Sequence, residues 1–139
     1  MFQISDSELR AYHNEMLIML GLGGCMFTGL NFSQTAHAHF KTAMAEKISQ
    51  QIHGGHVESR IREIEKAFDL YLEDLIDRER APELFTEFSS KYLRRVFPAN
   101  PKVGAMFMQV NIAKIPLDLA LESFRLVRDG YGKLKHGVG

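Results

Sequence analysis

Tryptophan is absent from this 139-residue sequence, cysteine occurs once and proline four times. A single cysteine excludes an internal disulfide framework, and one thiol beside six histidines cannot build a thiolate zinc site of the usual kind. Net charge is missing too, because seventeen Lys plus Arg balance seventeen Asp plus Glu. No global field therefore draws the chain toward nucleic acid or an anionic membrane, and charge effects must be local. Long apolar runs are also lacking. The longest, Met16 to Phe27, is twelve residues interrupted by Gly21, Gly23 and Gly24, whereas a spanning helix needs about 20, so no membrane span is expected. Within that run Leu22-Gly23-Gly24-Cys25 has the spacing of a lipoprotein cleavage box. The residues before it carry Asp6, Glu8 and Glu15 against Arg10 alone, the wrong sign for a signal peptide. Cys25 is thus expected to be a free, packed thiol in a cytoplasmic protein.

What is present is an ordinary globular composition, 45% hydrophobic and 24% charged, at a length of one domain. A single helical domain over residues 1–139 is expected, with residues 133–139 fraying. Ser5-Asp6-Ser7-Glu8 reads as a capping box, with Ile4 and Leu9 as a hydrophobic staple, and starts a helix carried by Leu9, Tyr12, Met16, Leu17 and Leu20. Gly21 is expected to end it, leaving residues 21–32 as a glycine-rich loop with apolar anchors. Ser33 caps a second helix to about Ile52, closed by Gly54-Gly55. Val57, Ile61, Ile64, Phe68, Tyr71 and Leu75 alternate steps of four and three, a core seam on a third helix reaching about Glu79. Pro82 opens a fourth, which ends before Pro98 and Pro101. Residues 103–115 carry both a strand-like alternation and a helical repeat, and are assigned to a fifth helix. Pro116 opens the last, ending near Gly130 or Gly132. The expected class is all-α, a compact bundle of about six helices in antiparallel hairpins.

Templates for chemistry fail when applied to the letter. Gly24 and Gly29 have P-loop spacing, but Leu30 and Asn31 stand where Lys and Ser or Thr must hold phosphate and magnesium. Gly21 and Gly23 begin a dinucleotide pattern that Met26 breaks. His37 is followed by Phe40 and Lys41, and His39 by Thr42 and Ala43, unlike the lysine-then-glycine pattern of histidine phosphotransfer domains. The acidic residues Glu63, Glu65, Asp69, Glu73, Asp74 and Asp77 fall on the polar side of the third helix and read as a solvated face. No catalytic residue and no cofactor is assigned. His53 and His56 straddle the Gly54-Gly55 turn, with Glu58 a conceivable third metal ligand, but two histidines with nothing else fixed are better read as partners of helix-end carbonyls.

Two surfaces remain. If the third and fourth helices form an antiparallel hairpin, Lys91, Arg94 and Arg95 return toward Arg60 and Arg62, making a basic patch able to dock an acidic protein. As a nucleic-acid stripe the same patch offers only Tyr92 for stacking, so nucleic acid is the lesser reading. Met108, Ile112 and Ile115 project away from the buried side of their helix and are expected to cover one another across a homo-oligomer, a dimer in the simplest case. The function these features imply is that of a noncatalytic regulator or adaptor acting through protein binding, with a helical bundle binding a small ligand or metal at His53 to Glu58 as the alternative. Zinc titration calorimetry is expected to show no saturable site tighter than micromolar. A tight site abolished by His56→Ala would reverse that expectation.

Overall fold

The computed structural model describes residues 5–53, 57–75, 81–98 and 114–135, and these form a helical bundle. Its elements are α1 (Asp6–Asn31), α2 (Gln34–His53), α3 (Glu58–Leu75), α4 (Ala81–Val96) and α5 (Lys114–Lys135). The helix expected over residues 103–115 falls outside the described residues except for its end, where Lys114 and Ile115 open α5. Helix α5 also runs through Gly130 and Gly132, and three residues into the stretch expected to fray.

Local chemistry starts the first two helices where the sequence says it should. Ser5 Oγ accepts from the Glu8 amide at 3.1 Å while Glu8 Oε1 accepts from the Ser5 amide at 3.1 Å, so the capping box is closed. Ser33 Oγ accepts from the Ala36 amide at 3.1 Å and caps α2.

The expected end of the first helix is overturned. Residues 21–31, read as a loop, are the second half of one 26-residue helix that passes straight through Gly21, Gly23 and Gly24. These glycines are packing surfaces. A Cβ on Gly21 would lie 2.8 Å from Met44 Cγ and 2.9 Å from Ile48 Cδ1 of α2, and one on Gly24 would lie 2.7 Å from Phe40 Cζ. On Gly23 it would lie 2.6 Å from the Ser123 carbonyl carbon and closer still to the Phe124 nitrogen, so the backbones of α1 and α5 meet with no side chain between them. A glycine inside a helix costs roughly 0.5 to 1 kcal/mol relative to alanine, and the close packing on three sides offsets it.

Partners along each helix give the topology. Gly29 meets His37 and Gly21 meets Ile48, so α1 and α2 are antiparallel. Lys41 reaches Asp69 and Thr42 reaches Glu65, so α2 and α3 are too. Helix α5 differs. Leu20 and Gly23 meet Ser123, Phe27 meets Phe124 and Tyr131, and Phe32 meets Tyr131, which makes α5 run parallel to α1. The core between them holds Met19, Leu22, Phe68, Tyr71, Leu75, Phe88 and Tyr92, all essentially sealed from solvent; the seam read from the third helix is buried from Ile61 to Leu75, while its first member, Val57, lies before α3 and is exposed.

Gly23→Ala should lower the melting temperature by several degrees, because α5 must move off α1. Gly130→Ala, at a site where an added Cβ meets nothing within 4 Å, should raise it slightly. Thermal unfolding followed by circular dichroism checks both, and equal signs for the two variants would contradict this account of the glycines.

Candidate interaction surface

Among the described residues, the most elaborate polar cluster sits inside the bundle. Glu15 is 4% exposed, on the same side of α1 as Ile18, Leu22 and Cys25. Arg95 of α4 grips it with two hydrogen bonds, Nε to Oε2 at 2.7 Å and Nη2 to Oε1 at 3.0 Å, and the Tyr71 hydroxyl of α3 donates to Oε2 at 3.1 Å. Burial opposes the guanidinium charge, but the hydrogen bond and the attraction to Glu15 outweigh it and hold Arg95 above its ordinary pKa. Burial and, after it, the Glu15 charge push the Tyr71 phenol well above its usual range. The cluster ties three helices at one point. Tyr92 packs on Phe88 and Tyr12 beside it, and its buried hydroxyl has no hydrogen-bond partner among the described residues.

This arrangement bears on the basic patch. Arg95 is committed to Glu15 and lines a cleft of about 440 Å³ with Ser5, Ser7, Glu8, Ala11, Val96 and Pro98, a rim of mixed charge. Lys91 donates to the Leu70 carbonyl at 3.1 Å and lies 3.6 Å from Glu73, more than two turns along α3 from Arg62. Arg62 pairs with Glu58 one turn away at 2.7 Å. Arg94 folds back on Ser90, and Arg60 is half-buried on α3. Three of the five expected cations thus have carboxylate partners within the chain. The sequence carried a signal for the internal pair: Glu15 stands three, seven and ten residues before Ile18, Leu22 and Cys25, an acid heading an apolar row, which demands a cation.

The remaining chemical candidates are placed as follows. Cys25 is fully buried, and desolvation pushes its thiol up to about 12, so it is shielded from thiolate chemistry. Thr28 Oγ1 donates to the Cys25 carbonyl at 3.1 Å and lies 2.9 Å from His37 Nδ1, fastening the start of α2 to the end of α1. Burial and then the Lys41 charge lower the His37 pKa. Of the weak metal candidates, His56 and the His53 side chain lie outside the described residues, and Glu58 is paired with Arg62. No group of three His, Cys, Asp or Glu side chains among the described residues is arranged to hold a metal.

Of the expected oligomer residues, Met108 and Ile112 lie outside the described residues, while Ile115 is 54% exposed. It belongs to a longer apolar row. At 100° per residue, Ile115 and Leu119 fall within about 20° of Leu126 on the α5 surface, and Leu126 is 67% exposed. Ser123 Oγ donates to the Leu20 carbonyl at 2.6 Å, so Leu20 of α1, itself 49% exposed, stands beside this row. On its other side Leu20 forms a groove of about 200 Å³ with Leu17, Gly21, Met44, Lys47, Ile48 and Gln51. Among the described residues no helix is long and apolar enough to cross a membrane.

No protein-family model, curated protein or solved structure matches the chain.

Arg95→Ala strands a buried carboxylate and should destabilise the fold by about 3 to 5 kcal/mol. Glu15→Gln with Arg95→Met, which removes both charges, should recover much of that loss. Urea unfolding of the three proteins reads the difference, and a single Arg95→Ala as stable as the wild type would show the pair to be dispensable.

Proposed function

We propose that this chain is a small noncatalytic regulator or adaptor of the cytoplasm that works by binding protein, and that it does so with the outer face of α5 and the neighbouring Leu20. The observation that carries this reading is the pair Ile115 and Leu126, aligned on one face of α5 and more than half exposed, with Leu119, partly covered by the core, on the same face between them. Isolated apolar residues on a surface need no explanation, but exposed apolar residues aligned on one helix face and flanked by charge have the make-up of an interface. Asp118, Arg125 and Asp129 supply those flanking charges along α5, and Glu122 stands within the row. The neighbouring groove at Leu20 extends the apolar surface toward α2. The internal pairing of Arg95, Lys91 and Arg62 favours this face over the basic patch.

Site-specific photo-crosslinking in cells separates the surfaces. A crosslinking residue at Leu126 should give protein adducts, whereas one at exposed Glu63 of α3 should give none. Leu126→Glu should abolish crosslinking from position 115 without changing the circular dichroism. Adducts from position 63 and none from 126 would sink the proposal.

A further inference from the structure

The α5 row has a charge pattern that selects its occupant, and we infer that the face is covered by the α5 of a second copy of this chain, packed antiparallel about a two-fold axis. This rests on the protein-binding reading above and names the partner.

Ile115, Leu119, Glu122 and Leu126 follow one another in steps of four, three and four, the spacing that keeps a seam on one side of a helix. Two antiparallel copies of such a seam meet in register when Ile115 of one faces Leu126 of the other and Leu119 faces Glu122. In that register the flank of the seam that lies away from α1 faces the same flank of the other copy, running in the opposite direction. On that flank stand Asp118 and Arg125, seven apart. The two-fold axis brings Asp118 of each copy against Arg125 of the other, so the contact occurs twice. A parallel pairing would instead turn Asp118 and Arg125 toward the partner's opposite flank, where Pro116 is buried and Ser123 is bonded to Leu20, and would leave both charges without a partner across the interface. The charge order along α5 therefore selects the antiparallel arrangement and an identical partner.

Both groups are available for this. Asp118 is exposed and has no ion pair among the described residues. Arg125 holds Glu122 one turn away at 2.9 Å with both side chains more than half exposed, a surface contact of the kind that contributes little to stability. Glu122 is the single polar residue of the seam. Held by Arg125, it lays its aliphatic stem toward the Leu119 of the partner helix, and its charge limits the strength of the association, as a polar seam residue does in a coiled coil.

Sedimentation equilibrium on the full chain tests the inference. The wild type should be a dimer at high micromolar concentration, and Leu126→Glu a folded monomer with unchanged circular dichroism. Glu122→Leu should tighten the dimer by tenfold or more, roughly what one buried leucine in place of a charge supplies. Asp118→Arg and Arg125→Asp should each weaken self-association, while an equimolar mixture of the two should form a heterodimer, because every flank contact is then between unlike charges. A monomeric wild type, a dimer indifferent to Leu126→Glu, or a mixture that associates no better than its components would overturn the inference. If the chain is monomeric yet Leu126 still crosslinks to a different protein, identified by the mass of the adduct, the binding face stands and only the second copy falls.

Discussion

The close approach of backbones at Gly21, Gly23 and Gly24 governs the rest of this fold. Positions 21, 23 and 24 point from α1 in three directions, and in each the neighbour stands where a Cβ would be: the Met44 and Ile48 side chains, the α5 backbone and the Phe40 ring. With no side chain at Gly23, α5 can lie parallel to α1 and close enough for Ser123 to bond the Leu20 carbonyl. That contact fixes the rotation of α5, and the rotation decides which of its residues are covered. Phe124 and Leu117 go inward, leaving Ile115 and Leu126 outside. The candidate interface is thus a consequence of three missing side chains on another helix.

What the sequence disclosed was set by the range of the forces involved. The Ser5–Glu8 capping box and the Ser33 cap depend on residues three apart, and both form. The seam from Ile61 to Leu75 declares itself because one buried face imposes one period. The glycines misled because the same residue serves a turn by its backbone freedom and a helix crossing by its lack of a Cβ, and only the positions of α2 and, about a hundred residues on, of α5 distinguish the two. The basic patch suffered in the same way: Arg95 looked free on its own helix because its carboxylate lies eighty positions earlier. The outward side of α5 was visible only at Ile115, since Leu126 carries the same hydrophobic signal as its buried neighbours.

A formal net charge of zero conceals an uneven distribution of pairs. Glu15 with Arg95, Lys41 with Asp69 and Lys91 with Glu73 join different helices, and only the first is deep enough to hold tertiary structure strongly. On α5 the ion pairs recorded stay within the helix, Glu122 with Arg125 and Arg128 with Asp129. The ion pairs of this element thus stay local among the described residues, and it is attached to α1 by packing and by the Ser123 hydroxyl on the Leu20 carbonyl. Such charges can exchange partners at small cost, which suits a surface meant for association.

The parallel seating of α5 on α1 also has a kinetic side. The Ser123 hydroxyl and the Leu20 carbonyl are 103 positions apart, whereas the hairpin of α1 and α2 is closed by contacts such as that of Thr28 with His37, nine apart. Loop-closure entropy places the short contacts first and the long one last. Until α5 arrives, Gly23 is an exposed helical glycine, the least helix-prone residue other than proline, with no packing to compensate it. The hairpin with α2 already covers Gly21 and Gly24, so the turn at Gly23 is the part of α1 whose packing waits on synthesis being well advanced.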